Sequence, residues 1–243
     1  AASRSCNYLI GIAENKPLGD YTRADALKFR KWLIDRGLTG SSVTRNFSYL
    51  KAVFNFAVSE YALDVTNPFI GVYHDRQAGV IKRQPIPIEN IKLVQAQCRQ
   101  VDDDLRWLVA LLSDTGLRLA EGAGLLKTDI HLDCEVPLVR IHKHPWRGLK
   151  TRSSEGDMPL VGQQALWAAE RALHASCGSA FAFARYNQTD TTAANSASTA
   201  LNKWLKQHVP TGCTMHSFRH SMRDRLRAVQ CPADIADQIG GWA

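Results

Sequence analysis

The stretch TMHSFRHSMRDRL, Thr214 to Leu226, decides how this chain is read. Phe218, Met222, Leu226 and Val229 follow at intervals of four, four and three, so the segment is predicted to be a helix with those side chains facing a core. His216, Arg219 and His220 then leave from other faces, with Arg219 one turn beyond His216. A forked guanidinium beside an imidazole is a good receptor for a phosphodiester oxygen. Arg223, Arg225 and Arg227 are read as a solvated basic face.

Three further segments carry candidate chemistry. In DTGLRLAEGAGL, residues 114–125, a glycine turn is followed at once by Arg118, and three residues later Glu121 can reach back to hold its guanidinium. Taken alone, that pair is also what an ordinary surface ion pair looks like. In LKTRSSEGDMPL, Lys150 lies at or near a turn between strands, from which a flexible ammonium can swing into a cleft; most turn lysines are merely solvated. In PADIADQIGGWA, Pro232 opens a short helix, Gly240 and Gly241 end it, and Trp242 follows. A terminal tryptophan usually packs as core, though its indole N–H can donate one hydrogen bond.

The 243 residues are 45% apolar, enough to supply two cores. Thirty Lys and Arg against 23 Asp and Glu leave a net charge of +7, which favours a polyanionic partner over a neutral small molecule. Residues 1–83 hold 12 basic and 7 acidic side chains, whereas residues 84–243 hold 18 and 16, so the front third is the stronger electrostatic grip. Cys6, Cys98, Cys134, Cys177, Cys213 and Cys231 are scattered without a C-x-x-C pair, and they read as reduced, mostly buried thiols. No apolar run is long enough for a signal peptide or a membrane span.

Along the chain, Thr22 can cap a helix whose apolar positions are Ala26, Phe29, Trp32 and Leu33, with Gly37 as its stop. A second helix places Val43, Phe47, Leu50, Val53, Phe54 and Ala57 inward. Lys28, Lys31, Arg45 and Lys51 lie off these stripes, free to meet phosphate or water. IKRQPIPIEN reads as an extended linker, which sets a boundary near residue 83. Leu105 to Leu112 form a helix that breaks at Asp114-Thr115-Gly116, and a short one restarts at about Leu117. β-Branched runs around Val139 and Ile141, a Pro-Trp-Arg-Gly turn and the Met158 to Val161 run suggest a small antiparallel sheet. Helices resume at Gln163 to Ala175 and at Leu201 to Leu205, with residues 188–199 as a polar loop between them. The fold class is mainly α with a small antiparallel sheet, in two domains, 1–83 and 84–243.

In this order and together, the segments resemble the tyrosine recombinase, or phage integrase, family. TGLRLAE resembles its first arginine box, which implies Arg118 as a catalytic arginine and Glu121 as the acid that positions it. LKT is similar to the hairpin lysine motif, giving Lys150 that role. HSFRH is similar to the His-x-x-Arg box, with His216 and Arg219 in catalytic places and His220 beside them. GGW is similar to the variant in which tryptophan replaces the last histidine, so Trp242 takes that place. TRADALKFRKWL and TRNFSYLKAVFNFA resemble the helical core-binding domain that clamps duplex DNA. Two departures stand out: Ala120 where serine is common, and Gly156-Asp157 where an arginine and an apolar residue are usual.

The resemblance implies transesterification at a DNA phosphodiester through a 3′-phosphotyrosine, with no cofactor and no metal. His131, His142 and His144 are accordingly read as incidental surface histidines. The nucleophilic tyrosine is expected within about ten residues after Trp242, and the chain ends at Ala243. None of Tyr8, Tyr21, Tyr49, Tyr61, Tyr73 and Tyr186 matches that place, so the expectation is a chain cut before its nucleophile, able to bind DNA but not to cleave it. Ala1-Ala2-Ser3 is likewise read as a cut or tag-derived start. The implied partners are attachment-type duplex DNA and a homotetramer on synapsed DNA, without a membrane, for a cytoplasmic, nucleoid-associated protein of bacterial or phage origin. Three alternatives stand beside this reading: a recombinase-like DNA-binding regulator that never cuts, a type IB topoisomerase-like enzyme, and a basic helical scaffold that binds RNA or protein.

Overall fold

In the computed structural model, residues 1–175 and 178–242 are described, so Cys177 lies outside the described residues. They form two units, Ala1–Ile81 and Lys82–Ala243. In the first unit, helix α1 (Ala2–Ala13) precedes α2 (Arg23–Asp35) and α3 (Gly40–Glu60). Ala2 and Ser3, read from sequence as a cut or tag-derived start, form the first turn of α1.

Thr22 starts α2 through a reciprocal cap: its hydroxyl faces the Asp25 amide while the Asp25 carboxylate accepts from the Thr22 N–H at 2.8 Å. Lys16 reaches the same carboxylate at 2.8 Å and, as the largest influence, holds its pKa at about 2. The core of this unit is aromatic, with Phe29, Phe47, Phe54 and Phe69 all buried and Phe29 set edge-on to Phe47 at 5.4 Å. Val53 and Ala57, expected on this buried stripe, are only half-buried. Arg23 and Arg30 fasten the segment after α3: Arg23 donates to the carbonyls of Pro68, Ile70 and Gly71, and Arg30 to that of Tyr73.

The second unit is built on α5 (Asp104–Thr115), whose residues Leu108 to Ser113 are all buried. Each fully buried Leu contributes roughly 1.5–3 kcal/mol of transfer free energy. Helix α7 (Gln163–His174) lies against it through Ala165, Ala168, Ala169 and Ala172, side chains small enough to let the two backbones approach. Asp114, in the last turn of α5, caps α7, accepting from the Gln164 and Ala165 amides at 3.0 and 3.2 Å. Helices α4 (Ile88–Val101), α6 (Leu119–Ala123), α8 (Ala194–Leu205), α9 (Ser217–Ala228) and α10 (Ala233–Gly240) complete the helical part.

Strands β1 (Ile130–His131), β2 (Leu138–Ile141) and β3 (Gly156–Pro159) form an antiparallel sheet in the order β1-β2-β3. Val139 opposes Met158, and both point into the core. On the other face Arg140 opposes Asp157 and grips it through two N–H groups, at 2.9 and 3.2 Å. The chain is therefore mainly helical with one small antiparallel sheet. Among the described residues, no helix is long and apolar enough to cross a membrane.

Some expectations fail for identifiable reasons. Helix α8 begins at Ala194, inside the stretch read as a loop; Ala197, Leu201 and Leu205 face the core at four-residue spacing, but alanine is too small to announce the stripe. Of the row expected to face the core from α9, only Phe218 is buried; Met222 and Leu226 are half-buried, and Val229 falls just past the end of the helix and is 74% exposed. Of the thiols, Cys98 and Cys213 are buried, and burial pushes the Cys98 thiol up to about 12. Cys134 is exposed, while Cys6 and Cys231 are half-buried, so the thiols are less uniformly buried than expected.

Candidate active site

Gly116 makes the turn that presents the first arginine. It caps α5 in the left-handed conformation at φ 64°, and a Cβ there would stand 2.8 Å from the Met222 Cβ of α9, so both backbone and packing exclude a side chain. Two residues on, Arg118 occupies the N-cap of α6. Its backbone N–H donates to Glu121 Oε2 at 2.9 Å, and its Nη1 meets Glu121 Oε1 at 2.8 Å. One carboxylate thus fixes both the start of the helix and the direction of the guanidinium, which also donates to the Ser154 hydroxyl. Glu121 is 4% exposed, so this is not an ordinary surface pair.

Helix α9 delivers the second arginine into the same place. Arg219 is 5% exposed, with Nη1 donating to the Gly116 carbonyl at 3.2 Å and Nη2 to the carbonyls of Gly240 and Gly241. Burial lowers its pKa to about 10, with Arg118 as a second cause, so it remains a cation at neutral pH. His216, at the N-cap of the same helix, is half-buried, with its ring 5.2 Å from that of exposed His220. Burial first, and then Arg83, His220, Arg219 and Arg118, lower the His216 pKa to about 4, so its imidazole is neutral at pH 7.

The end of the chain closes the cleft. Gly241 ends α10 at φ 56°, and a Cβ on it would stand 2.7 Å from the Ser153 carbonyl oxygen. A Cβ on Gly240 would overlap the Trp242 indole, so the two glycines let the chain turn under that ring. The indole lies 5.0 Å from the Arg219 guanidinium and 5.3 Å from that of Arg223. Arg118, Glu121, Arg219, Ser154, Gly240 and Gly241 line one cavity together.

Lys150 and His216 do not line that cavity. Lys150 is exposed on the connection between β2 and β3, and His216 opens onto a neighbouring depression with Arg83, Ala120 and Met215. Lys28, Lys31 and Arg45 are exposed on the first unit and Lys51 is half-buried; Lys31 pairs with Asp35 at 2.9 Å. The basic face read on α9 is also less free than expected. Arg225 is half-buried and donates to the Ser113 carbonyl at 2.7 Å, Arg223 faces Trp242 and Asp237, and only Arg227 is exposed.

Sequence reasoning missed Arg147, which is 3% exposed and donates to the carbonyls of Glu121 and His142, tying the first arginine box to the β2–β3 connection. Its only signal was the Pro-Trp-Arg-Gly turn. His144 and Arg147 exchange backbone hydrogen bonds at 3.1 Å across Pro145-Trp146, a two-residue turn that carries the guanidinium inward. His142 and His144 are not incidental surface groups either. Both rings face Asp129, and the His144 side chain is only 8% exposed.

Residues 89–243 match the sequence profile described as the phage integrase family. No curated protein sequence matches the chain. Among solved structures, the fold is similar to the Tn1549 transposon integrase in complex with a circular intermediate DNA, at 17% identity and a TM-score of 0.75 over 98% of this chain and 83% of that one. It is also similar to lambda integrase residues 75–356, solved as a dimer bound to a COC′ core site, at 16% identity and a TM-score of 0.71 over 99% of this chain and 82% of that one. A lambda integrase tetramer bound to a Holliday junction aligns at 15% identity and the same TM-score, covering 99% of this chain and 67% of that one. At these identities the structural likeness speaks for the fold, and the profile match, which spans more than half of the chain, decides kinship. The chain belongs to the phage integrase family.

Proposed function

We propose that this chain is the DNA-binding and phosphate-activating part of a site-specific recombinase, which cleaves and rejoins duplex DNA through a 3′-phosphotyrosine. The observation that carries the reading is the convergence of Arg118 and Arg219 on one cavity, each guanidinium held by its own scaffold. Three of the five N–H groups of Arg219 serve backbone carbonyls, which leaves two for the non-bridging oxygens of a phosphodiester. Two fixed cations stabilise the charge that develops in a pentacoordinate transition state without reorganising.

The remaining roles follow from charge state and position. His216, neutral at pH 7, is suited to accept a proton from the nucleophile or to hydrogen-bond the phosphate. Lys150, exposed on the β2–β3 connection, is the general acid for the 5′-oxygen leaving group. Glu121 positions Arg118, and Trp242 packs its ring against the Arg219 guanidinium. Among the described residues no tyrosine lines the cavity, and the nucleophile is assigned to a tyrosine outside these 243 residues. The chain by itself then binds DNA without cutting it.

The first unit, with Lys28, Lys31, Arg45 and Lys51, is assigned the role of a core-binding domain on the same duplex, and the working assembly is a tetramer on two synapsed attachment-type sites in a bacterial cytoplasm. The DNA-bound integrases of similar fold support this reading. A nicked suicide duplex carrying the cognate site tests it, incubated with this chain and with the chain extended by its native downstream residues. A covalent adduct on a denaturing gel from the extended chain alone is the expected result. Specific binding without adduct from either chain would establish a non-cutting regulator instead, and relaxation of supercoils without paired sites would point to a topoisomerase.

A further inference from the structure

Outside the arginine cavity, three potential ligand atoms converge at the base of the sheet. Asp129 is buried at the end of the turn that leads into β1, and its Oδ2 accepts the Leu126 N–H at 2.9 Å, which fixes the carboxylate. His142, just after β2, places Nε2 3.0 Å from Asp129 Oδ1, and His144 places Nε2 2.9 Å from Oδ2. One ligand atom from each of the three residues lies within 4.8 Å of the others. The His144 ring is stacked on Trp146 at 4.5 Å and 12°, so it too is held in place, while His142 is half-exposed.

We propose that Asp129, His142 and His144 bind a divalent transition cation, zinc in particular. Two imidazoles and one carboxylate suit Zn²⁺, whereas Ca²⁺ and Mg²⁺ take oxygen ligands. Bonds of about 2.0–2.1 Å in a tetrahedral site set neighbouring ligand atoms about 3.3 Å apart. The N–O separations of 3.0 and 2.9 Å, each to a different oxygen of Asp129, have to open by a few tenths of an ångström, while the widest ligand separation, up to 4.8 Å, has to close toward the same value by rotation of the half-exposed His142. Both imidazoles take the Nδ1–H tautomer on binding, so that each Nε2 lone pair faces the cation. The half-exposed side at His142 provides the entry path, and solvent there supplies the fourth ligand.

The Leu126 amide plays the outer part that orients a ligating carboxylate. Arg147 sits within electrostatic reach of Asp129 and opposes a second cation, which makes the site weaker than a closed four-ligand one. None of the three ligands lines the arginine cavity. Metal binding is thus independent of the recombinase reading, and only its consequence depends on it: a cation here would tie β1 to the connection that carries Lys150.

The test is titration of the full 243-residue chain, without a polyhistidine tag, with Co²⁺ and then Zn²⁺. One Co²⁺ per chain with the visible bands of a tetrahedral ion, displaced by Zn²⁺, is expected. H142A, at a half-exposed position, should weaken binding by at least the roughly 10–100-fold that loss of an outer-shell partner costs. Zinc X-ray absorption on the unsubstituted chain should show two imidazoles and no sulfur, a readout that needs no variant to fold. Absence of saturable binding, equal affinity in H142A, or a sulfur shell from the cysteines would each overturn the proposal.

Discussion

The guanidinium of Arg219 lies 5.0 Å from the centre of the Trp242 ring while its N–H groups reach back to Gly116, Gly240 and Gly241. The side chain is a clasp between the first arginine box and the end of α10 as well as a cation facing the cavity. Removing the ring exposes the clasp to water and forfeits a desolvated cation–π contact of up to about 2 kcal/mol. W242A should lower stability by about 1–2 kcal/mol in urea denaturation, and W242F, which keeps an aromatic face, should recover most of it.

Glu121 makes a complementary prediction. Its carboxylate satisfies the Arg118 amide and the Arg118 guanidinium at once, with 5% of the side chain exposed. Breaking a fully buried pair costs about 3–5 kcal/mol, and the Arg118 side chain, 19% exposed and also bonded to Ser154, should soften this to about 2 kcal/mol for E121A. If E121A left both the unfolding midpoint and DNA affinity unchanged, Glu121 would have no positioning role.

His216 carries a pH dependence whose sign is fixed by its lowered pKa. The native value of about 4 lies below the 6.5 of an ordinary histidine, so the unfolded chain binds the extra proton first. Its contribution is fully present above pH 6.5 and is lost as the pH falls from there toward about 4. Urea unfolding at pH 7 and pH 5 should show a smaller loss of stability on acidification for H216Q than for the parent chain. An equal loss in both would mean that the imidazole titrates normally.

Gly116 tests the turn itself. G116A places a side chain in the left-handed region, at roughly 1–2 kcal/mol, and pushes its methyl against Met222, for which overpacking costs a further 1–3 kcal/mol. A total of about 2–5 kcal/mol is expected by chemical denaturation. G148A is the control, because a methyl group there meets no atom within 4 Å.

These positions also show what could be read from the chain alone. The three-residue spacing of Arg118 and Glu121 is a local relation that any helix realises, whereas the apolar spacing on α9 located only Phe218 on its buried side, which Ser217, Arg219 and Ser221 complete. Relations across long loops left no such trace. Arg147 meets Glu121 from 26 residues away, Arg23 holds a carbonyl 48 residues on, and Asp129 gathers its histidines only once β1 and β2 have paired. Helix α8 was hidden for another reason: its first turns are alanine, asparagine and serine, whose composition suits a loop equally well.

The DNA-facing assignment of the first unit can be tested by salt dependence rather than by affinity alone. Lys28 and Arg45 are exposed and have no acidic partner among the described residues, whereas Lys31 already spends part of its charge on Asp35. A side chain that neutralises a phosphate releases counterions, so removing it lowers the slope of log K against log salt by about 1. K28A and R45A should each reduce the slope by that amount, uniformly across DNA sequences, and K31A by less. Unchanged slopes for both K28A and R45A would mean that these helix faces meet water and that the grip lies elsewhere on the unit.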